Sequence, residues 1–311
     1  MKKIALCFGI SLLSMMALSL QAQNVVTAPA EEDNNFANFY EATTNTGRKA
    51  VEYAFVREAD VTWECVIWRI INFREKFNEF FYYPTKEQAD ANDAQGRKNL
   101  AMTIMEAVER GDIQVYESED FKIPIDYAAM RAKGASTRRD RITLYWTDPE
   151  TGEETDEVRE ERDTNIAVEI SEDNITQIKL KEYWYLNKQD ARQNVRIIGL
   201  SLMYPKPLRA SADDDEGEAA FQLVDMGWIP MNDPRVRNVL VKQRAYDDYN
   251  EVTERSYDDI FITRYFSSYV VRESNRYNRS ISDYLTGEDA LLASEEIENR
   301  IFNLEIDMWE Y

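Results

Sequence analysis

Carboxylates dominate the side chains of this 311-residue sequence that could do chemistry: 58 Asp and Glu stand against 37 Lys and Arg, with no histidine. Without imidazole there is no Ser-His-Asp or Cys-His nucleophilic pair, no His-ligated metal and no ordinary near-neutral proton shuttle. Paired-carboxylate hydrolysis is the catalytic option left open. It needs two acids about 5–10 Å apart across a cleft, one of them kept protonated by burial. Asp247-Asp248 and Asp258-Asp259 are adjacent in sequence, and adjacent residues do not face one another on a helix. Calcium fares no better. Asp213 and Asp215 begin an acidic run, but its fifth position is Gly217 and its twelfth is Val224, whereas an EF-hand places an oxygen ligand at five, Gly at six and Glu at twelve. Gly-rich phosphate loops and paired-cysteine metal spacings are absent from the sequence. The expectation is a non-enzymatic protein with no catalytic residue, no cofactor and no metal.

Aromatic residues are the second resource. Trp63, Trp68, Tyr82, Tyr83, Trp146 and the Tyr183-Trp184-Tyr185 run could stack on sugars, line a protein interface or simply pack in the core. Successive strand residues point to opposite faces, so Tyr183-Trp184-Tyr185 must place large rings on both sides of its strand. An interaction surface follows from this more naturally than a cleft. The formal charge of −21 repels phosphate backbones and acidic lipid, which argues against a nucleic-acid partner.

The elements that must position these residues begin with an export signal. Lys2 and Lys3 precede an apolar run from Ile4 to Leu20, and Leu20-Gln21-Ala22 presents a small residue for cleavage before Gln23. A membrane anchor is the competing reading, but the polar exit lacks the usual basic flank. Cys7 lies near the start of the run and not at its end, so a direct lipid anchor is not expected. Cleavage of residues 1–22 removes both lysines and leaves a charge of about −23. Cys65 is then the one remaining cysteine, without an intramolecular disulfide partner, and its apolar neighbours read as a buried structural thiol.

Residues 23–47 read as a flexible leader, in which Phe36, Phe39 and Tyr40 could dock on a neighbour. Residues 48–311 read as a single domain in three parts. The first, 48–110, is predicted helical: Val51, Ala54, Phe55 and Val56 share a side, and Trp63, Val66, Ile67 and Ile70 follow helical spacing. Asn99 to Arg110 is a further helix ended by Gly111. The second, 111–230, is sheet-rich. Ile142–Thr147 is a strand leading into a turn at Asp148–Gly152, Glu153–Asp163 is a charged loop, and Asn174–Leu186 alternates with period two. Val195–Tyr204 and Phe221–Ile229 are further strands, with an acidic surface loop at 209–218 between them. The third, 231–311, is helical, starting at Asn232-Asp233-Pro234, with stripes over Tyr257–Val271 and Glu288–Trp309. The fold class is therefore α+β: N-terminal helices, a central mainly antiparallel sheet and C-terminal helices.

Several strings resemble the GldN/PorN family of gliding-motility and type IX secretion proteins of the Bacteroidetes. They are Arg57-Glu-Ala-Asp-Val-Thr-Trp63 running on to Tyr82-Tyr-Pro84; Lys181-Glu-Tyr-Trp184 with Val195-Arg-Ile-Ile-Gly199; and Tyr257-Asp-Asp-Ile-Phe261 with Phe266–Val270, Arg272–Asn275, Asp289–Leu292, Glu295–Ile297 and Ile301-Phe302. The resemblance covers most of the mature chain, with divergent loops at 148–163 and 208–220. It implies a periplasmic protein held peripherally at the outer membrane by a lipoprotein of the GldK/PorK type. It also implies self-association in a ring, linked to the periplasmic part of a GldM/PorM-like motor protein. Trp63, Trp68, Arg264, Arg272, Arg276 and Arg279 are the candidate partner interface, because aromatics beside arginines are the usual anchors of interfaces. A secreted carbohydrate-binding or carboxylate-dependent hydrolytic protein is the alternative.

Overall fold

Strict alternation over Gln177–Asn187 builds the centre of the molecule: Ile178, Leu180 and Glu182 are buried while Gln177, Lys179 and Lys181 are half-buried. The computed structural model describes residues 47–91, 96–147, 154–168, 170–207, 221–247, 250 and 253–307. The signal peptide, nearly all of the leader, the 148–152 turn and the acidic loop at 209–218 lie outside the described residues. In chain order the strands are β1 (Val61–Asn72), β2 (Val115–Tyr116), β3 (Pro124–Ile125), β4 (Ser136–Thr147), β5 (Glu154–Val168), β6 (Gln177–Asn187), β7 (Arg192–Pro207), β8 (Phe221–Pro230) and β9 (Tyr269–Glu273). The helices are α1 (Glu79–Tyr82), α2 (Lys86–Asp90), α3 (Leu100–Glu109), α4 (Tyr127–Gly134), α5 (Pro234–Lys242), α6 (Tyr257–Thr263) and α7 (Glu288–Asp307).

Seven strands form one antiparallel sheet in the order β3-β2-β8-β7-β6-β1-β9, and β4 pairs with β5 in a separate two-stranded ribbon. With helices ahead of and behind the run of central strands, the fold is α+β as expected. Helix α3 is capped by the Asn99 side chain, which accepts from the Met102 amide. It ends where Gly111 takes φ +78, a left-handed position that glycine adopts freely. Helix α5 starts as read, with Asp233 capping and Pro234 in the first turn.

Four sequence expectations need correction. Trp63, Val66, Ile67 and Ile70 lie on a strand, β1, and not on a helix. This strand sits between β6 and β9, and Ile67 through Ile71 are all buried. A strand covered on both faces loses its alternation, so its apolar positions also fit helical spacing. The composition VTWECVIWRIIN, rich in β-branched and aromatic residues, was the better guide. The charged stretch Glu153–Asp163 falls largely in β5 and is paired in register with β4, with Arg141 opposite Asp163 and Thr143 opposite Glu161. The run Glu153–Asp163 carries a single apolar residue, Val158, so it has no apolar alternation to announce a strand. Third, the stripe over Tyr257–Val271 is helical only to Thr263, because Arg264 adopts φ +53 and the chain returns as β9.

Residues 48–56 are also not helical. They carry no regular secondary structure and are held by side chains. Arg237 Nη1 donates to the Val51 carbonyl, Asn238 Oδ1 accepts from the Ala50 amide, and Arg196 donates to the Ala54 carbonyl. The Tyr53 ring meets the Arg237 and Arg196 guanidiniums at 4.1 and 4.9 Å.

Two apolar clusters fill the helix-covered side of the sheet. The larger joins Ile178, Leu180 and Leu200 of the sheet to Phe81, Leu100, Ile104, Met105 and Phe261. Tyr257 is buried within it, its hydroxyl 2.9 Å from the Lys98 carbonyl and 3.2 Å from that of Phe80, and burial raises its phenol pKa above the ordinary range. The smaller cluster packs Ile301 of α7 and Ile281 onto Cys65, Ile67 and Val270. Helix α7 also guards the sheet edge, where the Val270 amide donates to Ser294 Oγ at 2.9 Å; covering an edge strand in this way prevents it from pairing with other chains.

Candidate partner interface

The alternation of β6 that buries Ile178 and Leu180 brings Glu182 to the same side, fully inside. A carboxylate there must be neutralised, since an unpaired buried charge costs several kcal/mol at least. Arg264 Nη1 lies 2.7 Å from Glu182 Oε1, Trp184 Nε1 donates to Oε2 at 2.9 Å, and Arg69 Nε approaches to 3.4 Å. That last approach is an ion pair without hydrogen-bond alignment. Arg69 directs Nη1 instead to Ser268 Oγ at 3.2 Å and Glu298 at 2.8 Å. Two cations and two anions thus cancel along a seam between the two apolar clusters. The left-handed turn at Arg264 is what returns its guanidinium to the sheet.

The opposite face of β1 carries Trp68, which is 5% exposed. The Arg272 guanidinium stacks on it at 3.6 Å, and Lys181 Nζ sits 5.7 Å from its centre. Trp68 Nε1 donates to Glu119, which also takes the Arg272 guanidinium at 2.8 Å, while Lys181 donates to the Glu119 carbonyl. The residues around Glu119 fold over this face because Phe121, at φ +54, drops its ring onto Gly199. A Cβ at Gly199 would sit 2.7 Å from Phe121 Cζ and 3.2 Å from Trp228 Cε3, so a larger residue there would displace that ring.

Of the six expected interface residues, then, Trp68, Arg264 and Arg272 are engaged within the chain, and Trp63 packs against the smaller cluster under α7. Arg276 and Arg279 are different. Both are exposed, they lie against the rings of Tyr277 and Tyr284, and neither has a carboxylate partner among the described residues. Sequence reasoning missed Glu182, Glu119 and Arg69. For Glu182 a signal existed, because it occupies a buried phase of an alternating strand. For Glu119 none did, since its partners come from β1 and β9.

The acid pair Asp258-Asp259 is taken up structurally. Asp258 is buried in a two-point contact with Arg237 at 2.9 and 2.8 Å. Burial raises the pKa of the Asp259 carboxyl, but the Ser256 hydroxyl and amide, with Arg48, outweigh it and hold the group below its usual value. Asp247 lines a groove of about 410 Å³ together with Phe77, Phe80, Arg255 and Tyr265; Asp248 lies outside the described residues. Cys65 is buried, and burial pushes its thiol pKa up, away from nucleophilic character. Among the described residues no group of three or more Cys, Asp or Glu is placed to hold a metal ion, and no helix is long and apolar enough to cross a membrane.

A family model described as "Gliding motility associated protein GldN" matches residues 56–310. No curated protein matches the chain. The match runs from just before β1 through α7 and so takes in the whole sheet, both apolar clusters and the buried ionic seam; on that extent, the chain belongs to the GldN family.

Proposed function

We propose that this protein is a non-enzymatic structural component of the type IX secretion and gliding-motility machinery. In this reading it sits in the periplasm and assembles with an outer-membrane lipoprotein of the GldK/PorK type into a ring. The ring is linked to the periplasmic part of a GldM/PorM-like motor protein. The observation that carries the reading is the family match across residues 56–310. The chemistry of the described residues supports it: the buried Glu182 pairs with Arg69 and Arg264, and the acid pair Asp258-Asp259 serves Arg237, Ser256 and Arg48. Polar groups used in this way hold the fold together, as a scaffold requires.

The test is purification of the tagged protein from gently solubilised envelopes, with mass identification of co-purifying chains and negative-stain imaging. A large ring containing a lipoprotein is the expected result. A lone monomer, recovered under conditions that keep other envelope assemblies intact, would end this reading.

A further inference from the structure

Two neighbouring patches of the C-terminal third are exposed, complementary and unmatched among the described residues. The first is the segment 274–280, Ser-Asn-Arg-Tyr-Asn-Arg-Ser, which carries two arginines and no acid in a chain of net charge −21. Tyr277 is 67% exposed and Tyr284 46%. The Arg279 guanidinium lies 5.0 and 4.6 Å from these two rings, holding the aromatic planes and the positive charges together as one raised surface.

The second patch is the outward side of α7 (Glu288–Asp307). Ser294 and Ile301 of this helix are buried, with Ala290, Ala293 and Ile297 packed behind them. The opposite side leaves Leu291, Leu292, Phe302 and Ile306 exposed at 58, 55, 60 and 42%. From Leu291 to Ile306 the stripe is about 22 Å long at 1.5 Å per residue. Single exposed apolar residues are ordinary, but four large ones on one helix face form a patch that a partner would cover. Glu295 and Glu296 lie between Leu292 and Phe302, exposed and without a cation partner among the described residues. The helix has seven acids against Arg300 alone, and Arg300 is committed to Glu273.

From this pairing we infer that the Arg276–Tyr284 surface of one copy seats on the outward face of α7 of the next. The arginines meet Glu295 and Glu296, and Tyr277 and Tyr284 cover the exposed leucines and Phe302. The inference rests on the ring reading and gives it a contact. The two patches differ from one another, so the contact is heterologous and leaves a joined pair with one free patch of each kind, one on each copy, as a repeating ring requires. The occupant is a second copy because the charge complementarity lies within this one sequence and is not satisfied among the described residues. Aromatic and arginine anchors against an apolar face are the composition expected of an interface core.

The experiment mixes two single-substitution chains, Tyr277→Cys and Leu292→Cys, in assembled wild-type-like complexes under mild oxidation. Cys65 is buried and does not compete. A disulfide-linked dimer in the mixture, absent from either variant alone, is the expected result. A companion pair tests the charges. Arg276→Glu with Arg279→Glu should lower ring yield about tenfold or more, and adding Glu295→Arg with Glu296→Arg should restore it, with the thermal midpoint unchanged throughout. Rings that form at full yield in the Arg276→Glu/Arg279→Glu chain, with no mixed disulfide, overturn the contact and leave the ring reading standing. A wild-type chain that makes no ring overturns the ring reading itself, and the contact with it.

Discussion

Arg264, Arg272, Arg276 and Arg279 share one short stretch of chain, yet the first two and the last two do opposite work. The first pair points into the molecule. Arg264 neutralises the fully buried Glu182, and Arg272 lies flat on Trp68 with its charge met by Glu119. The second pair stands in solvent against tyrosine rings, with no carboxylate in reach among the described residues. The same residue type is a fold element in one place and a free surface charge in the other. What separates them is the chain path: a left-handed residue at 264 and the β9 pairing bring the first two back onto the sheet, and the chain leaves the sheet after Glu273.

This contrast can be broken most sharply at Glu182. Glu182→Ala leaves Arg69 and Arg264 without their shared anion and should cost about 3–5 kcal/mol, read as a fall in the urea midpoint; a loss under 1 kcal/mol would mean that the seam is not holding the clusters together. Next comes Arg272→Ala, which uncovers Trp68 and leaves Glu119 short of a partner. A loss of about 1–3 kcal/mol is expected, with a change in tryptophan emission as water reaches the ring. Tyr257→Phe keeps the packing of the larger cluster and removes one buried hydroxyl, for a cost of about 1 kcal/mol in the same denaturation assay.

Smaller still is the effect of acid on the strap at 48–56. The folded Asp259 carboxyl has its pKa held below the ordinary 3.8, so the stabilisation it brings is fully present above that value and is lost as pH falls through the lower folded pKa. Asp259→Asn should therefore flatten the acid limb of the stability profile below about pH 4 and leave the neutral limb nearly parallel to wild type. Last, Arg276→Ala with Arg279→Ala should change monomer stability by no more than about 0.5 kcal/mol. A large loss there would show that the outer pair is structural after all and would erase the distinction.

How legible each part was from sequence follows the same division between local and distant causes. Strand β6 announced itself because alternation survives over 177–182; β7 and β8 are buried on both faces over 199–204 and 226–229 and were readable as apolar runs of strand length. Helices α3 and α5 were readable from Asn99, Gly111 and Asp233-Pro234, whose signals act within one turn of the chain. Strand β1 was not, since its neighbours on both faces bury it evenly and erase the period. The candidate interface divided along the same line. Choosing arginines beside aromatics found the right residue types, but whether a given arginine faces a carboxylate or water depends on Glu119 and Glu182, more than a hundred residues away along the chain for Arg272 and about eighty for Arg264.

By itself, then, the sequence determined the composition limits on chemistry, the α+β class, the family strings and those elements whose signals are local. Only the tertiary structure decided which charges are spent inside the fold and which remain for a partner. Burial of a charge is a property of what packs over it from elsewhere in the chain, and no local pattern encodes that. Arg272 and Arg276 are nearly indistinguishable in sequence, and it is Trp68 beneath the one and solvent around the other that set their roles.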